Sequence, residues 1–440
     1  MIEHFFPGIS ERFWRIAHDL VIINSVYNVL GFGIPLLLML IFTPVLINRL
    51  GSEGYGLWVI ATSALGLMGV FEFGLGAALA KYVSEYKATG NIQGISASAT
   101  GGIAFNLLLG LLFMVPMFVF APEFASLFPS SQISNSQVEI AIRLASLGFL
   151  PMMLKNVSLS IPKGLQNFKI PMQINIAQNS LTILIAFAVV SLGGDVENVI
   201  LSSVILMWCI GLLCFGIAIG LLNNLGAYFL LSWNYLKKIL IFMFYSGMTG
   251  VGGRIFTWLD RIVVGSLLGL SAVAYYTIAS GIANKFIAFS DALTQALMPA
   301  ASSWYIGGKR VKLLKYFKRA TLTIGLINIL IGIGLLLFSE LFLRMWMGEE
   351  FVEQVLIIFR ILIVVYAIYA INAPAFQIAN GIGIPWINMI FSLLAGISTI
   401  LLIILLVPDD GLIGAAYANL ASWVTLLSIF LVYLFLRRNN

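Results

Sequence analysis

The sequence predicts an all-α polytopic membrane protein, with twelve transmembrane helices in two six-helix lobes related by a pseudo-twofold axis along the membrane normal. Three observations lead there. First, 60% of the 440 residues are hydrophobic and 10% charged, whereas a soluble domain carries about 25% charged residues; the mean hydropathy is +1.02. Second, apolar runs long enough to span a bilayer, which needs roughly 20 residues, follow one another along the chain. Third, the two halves of the chain repeat each other.

The spans are expected near 23–48, 54–80, 99–120, 139–161, 171–191, 198–221, 239–260, 270–298, 318–338, 354–376, 386–407 and 411–435. Turn chemistry separates them: Gly51-Ser52-Glu53-Gly54, Ala121-Pro122, Pro129-Ser130-Ser131, Gly193-Gly194-Asp195 and Pro408-Asp409-Asp410-Gly411. Met1 to Asp19 contains acidic residues and lacks the apolar core and small-residue cleavage site of a signal peptide. Ile9, Phe13, Ile16 and Leu20 share one face, so residues 1–20 are expected to lie in the membrane interface. Residues 21–222 form the first lobe and 239–440 the second, with a short basic tail. Residues 223–238 link them as an interfacial cytoplasmic segment with Tyr228, Phe229 and Trp233 at headgroup depth.

Charge segregates between alternate loops. One set holds Arg12, Arg15, Lys81, Lys87, Lys163, Lys169, Lys237, Lys238, the 309–319 cluster, Arg437 and Arg438. The other holds Glu53, Glu123, Glu139, Asp195, Glu197, Glu340, Glu349, Glu350, Glu353, Asp409 and Asp410. The positive-inside rule then puts both termini in the cytoplasm.

The repeat aligns Leu50–Ala61 with Leu268–Ala279, with four identities and Trp58 opposite Tyr276. The same register brings Ser84 to Ser302, Tyr86 to Trp304 and Gly90 to Gly308. Ile170-Pro171 matches Ile384-Pro385 and Asp195 matches Asp409 in a register four residues shorter, which a shorter loop between the third and fourth spans of the second half would explain. Six spans per repeat leave both halves in one orientation, as in transporters built from parallel repeats.

Several classes are disfavoured. No phosphate loop, H-E-x-x-H or Cys/His cluster is present, so no catalytic residue, metal or cofactor is expected. Cys209 and Cys214 point apart on one helix and imply no disulfide. The basic residues sit in short loops, which does not support nucleic-acid binding.

The charges inside the spans carry the functional signal. At about 1.5 Å per residue, Arg254 lies ~24 Å beyond Lys238, and Asp260 and Arg261 lie ~33 Å beyond it. Against a hydrocarbon core of roughly 30 Å, Arg254 is in the far half and Asp260 and Arg261 are at the far interface. A guanidinium at that depth costs on the order of 3 kcal/mol, so it faces a cavity or snorkels to headgroups. Arg254, Trp258 and Arg261 share one helix face, which Gly247 and Gly250 continue. Basic side chains outnumber acidic ones inside the spans, which argues for an anionic ligand; pyrophosphate suits paired Arg and Lys. Arg254, Lys285, Lys155 and Arg360 are the candidate pyrophosphate ligands. Glu72, Asp291, Asp260 and Arg261 are candidates for ion coupling or gating. Asn175, Gln178, Asn179 and Thr182 make a polar helix face. Asn175, Gln178 and Asn179, with Trp258, are the candidate sugar contacts, with interhelix hydrogen bonding as the alternative.

The segment Asn48-Arg49-Leu50-Gly51-Ser52-Glu53-Gly54-Tyr55-Gly56-Leu57-Trp58, with Phe71-Glu72-Phe73-Gly74-Leu75-Gly76 after it, resembles the polysaccharide transporter family. So does Leu259-Asp260-Arg261-Ile262-Val263-Val264-Gly265 with Tyr275-Tyr276. These are the Wzx-type flippases, in the superfamily of multidrug extruders and lipid II flippases. The resemblance covers essentially the whole chain. It implies two six-helix lobes around a central cavity. It also implies movement of undecaprenyl-pyrophosphate-linked oligosaccharide (an O-antigen, capsule or exopolysaccharide repeat unit) to the outer leaflet of a bacterial inner membrane. Membrane lipids, other glycan-assembly membrane proteins and a coupling ion, H+ or Na+, are the further partners to consider. Lipid II flippases usually have fourteen spans, and multidrug extruders usually an acid in the first span, which is absent between Val21 and Asn48. A cation-coupled drug or metabolite antiporter of the same fold is the first alternative. A membrane glycan polymerase or acyltransferase is the second, disfavoured because every outer loop is short.

Overall fold

The computed structural model describes residues 11–71, 74–254, 258–295 and 297–438. Every regular element among them is a helix: α1 (Glu11–Phe71), α2 (Leu75–Ala88), α3 (Ile92–Val119), α4 (Ala121–Ala125), α5 (Asn135–Ser146), α6 (Phe149–Gly164), α7 (Lys169–Ser191), α8 (Val196–Asn224) and α9 (Trp233–Arg254) in the first part of the chain. After them come α10 (Asp260–Leu268), α11 (Leu270–Ala283), α12 (Lys285–Thr294), α13 (Leu297–Ile306), α14 (Arg310–Met347), α15 (Glu349–Tyr369), α16 (Ala373–Gly381), α17 (Trp386–Ala418) and α18 (Leu427–Arg438). Eight helical runs among the described residues are long and apolar enough to cross a membrane.

Local sequence explains where helices start and break. Asn91 accepts the Gly94 N–H at 2.8 Å and caps α3, and Asp195 accepts the Asn198 N–H at 3.0 Å and caps α8. Ser134 and Gln137 close a reciprocal capping box on α5. α1 is interrupted at Gly51 (φ 72°, ψ 167°), and Gly269 separates α10 from α11 with almost the same backbone (φ 85°, ψ 178°). Only glycine adopts that conformation without strain.

Those two glycines stand 218 residues apart, as the repeat requires. Gly90 (φ 65°) and Gly308 (φ 68°) form a second such pair. Helix packing repeats as well. A Cβ on Gly164 would come within 2.7 Å of the Ala80 carbonyl and 2.8 Å of the Val83 side chain; one on Gly381 would crowd the Met298 carbonyl and Ala301. Met298 and Ala301 lie 218 residues after Ala80 and Val83.

The structure moves the register slip. Gly164 and Gly381 are still 217 residues apart, while Pro171 and Pro385 are 214 apart. Most of the loss therefore falls in the turn after α6, not between the third and fourth spans. α6 leaves through Gln166 in a left-handed conformation (φ 64°) and needs Asn167 and Phe168 to reach α7. α16 leaves through Gly383 (φ 82°), and Pro385 caps α17 almost at once.

The seventh span also differs from expectation. Helix continues past Asp260 and Arg261 to Leu268, which leaves those residues ~12 Å short of its end rather than at the interface. A charged pair at a sequence boundary did not mark the helix end; Gly269 did.

One core joins the two halves at the end of the bundle that carries the acidic loops. Leu57, Trp58, Ile60 and Ala61 of α1 share it with Val264, Leu270, Val273 and Tyr276. Leu270 N–H donates to the Pro129 carbonyl at 3.3 Å, Ser52 Oγ donates to Ser271 Oγ at 3.2 Å, and Trp346 Nε1 donates to the Leu40 carbonyl. At the end with the basic loops, α9 packs on the first half: Tyr235 lies edge-on to Tyr86 at 5.5 Å, and Phe242 to Tyr82 at 6.1 Å. The linker runs beside α3, with Tyr228 N–H on Ser96 Oγ at 3.0 Å. Tyr228, Phe229 and Trp233 are exposed, which suits lipid headgroups.

Candidate functional site

On α6 and α7 the structure joins two expected residues: Lys155 Nζ donates to Gln178 Oε1 at 2.7 Å. Asn175 lies one turn earlier on the same face of α7. It lines a cavity of about 540 Å³ with Asn156, Ser160 and Lys163 of α6 and the small residues Gly74, Gly76, Ala77 and Ala80. Asn179 is exposed one residue beyond Gln178. Three of the expected polar residues thus follow one seam, from the basic end of the bundle inward.

A second group sits on α10. Asp260 is 2% exposed; its carboxylate accepts the Tyr276 hydroxyl at 2.8 Å and the Arg261 N–H at 2.7 Å. Asn419 Nδ2 donates to the Tyr276 oxygen at 2.8 Å, and the Tyr366 hydroxyl donates to Asn419 Oδ1 at 3.4 Å. A buried carboxylate is costly unless its lone pairs are met; Tyr276 of α11 and the Arg261 N–H of α10 meet them here, and Asn419 after α17 holds Tyr276 in place. The Arg261 guanidinium lies over the Trp258 ring at 5.2 Å. That ring packs so tightly on Gly66 that a Cβ there would overlap it. Trp258 is therefore a wedge between the two halves as well as a candidate sugar contact.

The remaining expected residues are scattered. Lys285 opens α12 and is half-buried; Asp291, on the same helix, is exposed. Arg360 does not join the other cations. Its Nε donates to Ser339 Oγ at 2.9 Å and its Nη2 lies 3.7 Å from Glu340, which also binds Arg344 at 3.0 Å. Ion pairing on α14 and α15 accounts for Arg360. Arg261 and Lys285 enter no ion pair among the described residues. Glu72 lies outside the described residues, as does the Arg254 side chain.

Sequence reading missed the strongest polar contact between loops. Glu53, 5% exposed, accepts hydrogen bonds from Ser130 Oγ, Ser131 N at 3.0 Å, Ser131 Oγ at 2.7 Å, Gln132 N at 2.8 Å and Ile133 N at 3.3 Å. This carboxylate orders the loop whose Pro129 carbonyl holds Leu270. The turn signal at Gly51–Gly54 was visible, but not the partner loop 78 residues on. Replacing Glu53 with Ala removes several charge-assisted bonds and strands loop N–H groups. The expected loss is about 3 kcal/mol or more, read as a lower unfolding temperature of the purified protein. An unchanged unfolding temperature would contradict this role.

The MatE family profile matches residues 34–188 and again 254–407. The chain belongs to the MatE family. The double match places one copy of the MatE pattern in each half. Two relatives extend over most of the chain. A Shigella flexneri protein named as an O-antigen transporter is 23% identical over 95% of this chain and 98% of its own. A Haloferax volcanii protein named as a glycan biosynthesis flippase is 23% identical over 90% of this chain and 79% of its own. Among solved structures, the lipid II flippase MurJ in an inward closed conformation superposes with a TM-score of 0.74 at 19% identity, covering 94% of this chain and 87% of MurJ. An inward-facing multidrug resistance transporter of the MATE family gives 0.72 at 17% identity, covering 94% and 98%. An outward-facing one gives 0.64 at 18% identity, covering 94% of each chain.

Proposed function

We propose that this MatE-family chain is a flippase for undecaprenyl-pyrophosphate-linked oligosaccharide, moving it from the cytoplasmic to the outer leaflet of a bacterial inner membrane by alternating access. The observation that carries the reading is a membrane-embedded cation seated among amides, Lys155 on Gln178 with Asn175 one turn away. Cations suit pyrophosphate, and amides suit sugar hydroxyls. The names of the two relatives point to the same substrate class.

The twelve-span, two-lobe architecture belongs to this proposal. Breaking the runs at Gly51 and Gly411 turns eight candidate spans into ten, and the helices between 233 and 306 supply two more. The matched glycines and the paired packing of Gly164 and Gly381 support a pseudo-twofold along the membrane normal. The lobes would be 21–222 and 239–440, with 223–238 as the linker and 1–20 in the interface. With the basic loops cytoplasmic, the shared core closes the outer side, and the better superposition on an inward-facing relative fits that state. Lys155, Lys285 and Arg254 would then hold the pyrophosphate. Asn175, Gln178, Asn179 and Trp258 would hold sugars. The polyprenyl tail would stay in lipid.

Orientation has its own test. Cysteines replacing Gly308 and Gly348 should differ in labelling by an impermeant thiol reagent in intact cells, with Gly348→Cys labelled and Gly308→Cys protected. Labelling of Gly308→Cys alone would overturn the orientation. Glu72, Asp291, Asp260 and Arg261 are assigned to coupling or gating by H+ or Na+. Normal glycan export from an E72Q/D291N double variant would remove the first two from that role. The antiporter alternative retains one specific support, the buried Asp260 network, which suits a cation-linked step. Restoration of surface glycan in a flippase-deleted host supports the flippase reading. Drug resistance without glycan restoration favours the antiporter.

A further inference from the structure

We infer that the cavity between α2, α6 and α7 is the entry station of the proposed substrate site, a loading position at the cytoplasmic mouth. Resting on the flippase reading, it takes the sugar next to the pyrophosphate before the headgroup reaches the deeper cations. The cavity holds about 540 Å³, within the ~300–1,000 Å³ of ordinary small-molecule sites. Its chemistry is mixed. Lys163, exposed in the last turn of α6, supplies an ammonium at the mouth. Asn156 and Asn175 supply amides from two facing helices, and the Ser160 hydroxyl donates to the Asn156 carbonyl at 2.9 Å. The opposite wall is α2, where Gly76 and Ala77 carry almost no side chain and leave room for a ring.

Position along the helices gives the site its place in the path. Lys155 and Lys163 are eight residues apart on α6, about 12 Å along its axis and about 80° apart around it. Asn175 and Gln178 lie three residues apart on α7, about 4.5 Å along it. A phosphate held by Lys163 has Lys155 as the next cation inward, with the Asn175 amide before it and the Gln178 amide on Lys155 itself. A diphosphate-linked sugar has two anionic groups and a hydroxyl-rich ring, which this sequence of groups can accept one after another. A hydrophobic drug cation would meet two ammonium groups on the same route.

The test uses the purified full-length protein and three probes: a short-chain prenyl-pyrophosphate-linked GlcNAc, the same prenyl pyrophosphate without sugar, and inorganic pyrophosphate. Two variants are compared with the parent, Lys163→Gln at the exposed mouth and Ala77→Trp to fill the cavity. Lys163→Gln should weaken the sugar-linked probe about tenfold, the size expected for one charge-assisted contact. Ala77→Trp should weaken the sugar-linked probe while leaving the sugar-free probe within about twofold. Inorganic pyrophosphate should bind much more weakly than either lipid-linked probe, because the site takes a headgroup and not free anion. Parent-like affinity for the sugar-linked probe in both variants overturns the loading site. Equal loss of both lipid probes in Ala77→Trp overturns its assignment to the sugar. The flippase reading is checked separately in cells: parent protein that fails to restore glycan export sinks that reading, whereas restoration by parent and both variants alike sinks the loading site alone.

Discussion

Gly56→Ala is expected to abolish glycan export while the protein still accumulates in the membrane. Gly56 faces the carbonyl of Leu270 across the junction of the two halves, and a Cβ there would overlap the carbonyl oxygen and come within 2.7 Å of its carbon. The obstacle is backbone, so no rotamer change relieves it. Around this point Ser52 meets Ser271, Leu270 is held by Pro129, and a Cβ on Gly265 would come within 3.0 Å of Ile60. Overpacking of this kind costs about 1–3 kcal/mol. That is enough to move a balanced open–closed equilibrium about tenfold away from the state closed at this junction. A disulfide between Ser52→Cys and Ser271→Cys should form readily in the parent and poorly with Gly56→Ala. Normal export together with normal crosslinking would show that the junction does not govern transport.

The second large effect concerns Arg254, which ends α9. α10 ends at Leu268, fourteen residues further along the chain, a length worth ~21 Å at the helical rise. Snorkelling over that length is harder than to a span end at Asp260, which favours a cavity-facing role. A snorkelling residue needs only a flexible cation, so Lys would suffice and Ala would be nearly silent. A pyrophosphate ligand loses its planar two-pronged donor on change to Lys and its charge on change to Ala. Arg254→Ala is therefore expected to abolish export and Arg254→Lys to impair it, at matched protein amounts. Wild-type glycan levels from Arg254→Ala would remove it from substrate binding and leave Lys285 as the next candidate.

Much of this architecture was legible because its signals are local. Gly51 and the turn ending at Asp195 stood out as breaks and are breaks in the structure, whereas Gly269 ends a helix whose expected limit was Asp260. Long-range matters were not. The side-chain partner of Asp260 is Tyr276, sixteen residues on, and Tyr276 is held in turn by Asn419, near the other end of the chain. Hydrophobic periodicity carries no information about such partners, although Tyr276 had stood out as the repeat counterpart of Trp58. Arg360 looked like a cavity cation because depth can be counted from sequence and direction cannot; Ser339 and Glu340 on a neighbouring helix decide its direction. Lys155 and Gln178 were separately visible as polar residues in apolar spans, but only the packing of α6 on α7 makes them a pair.

The most direct test is transbilayer movement by the purified protein alone. Liposomes carrying a fluorescent undecaprenyl-pyrophosphate-linked oligosaccharide in both leaflets are exposed to a membrane-impermeant quencher. With the parent protein, the quenched fraction should rise from about half to nearly all, and with Arg254→Ala it should stay near half. Quenching by the parent that matches protein-free liposomes, in vesicles where orthogonal assays show the protein folded, would contradict flipping of this substrate.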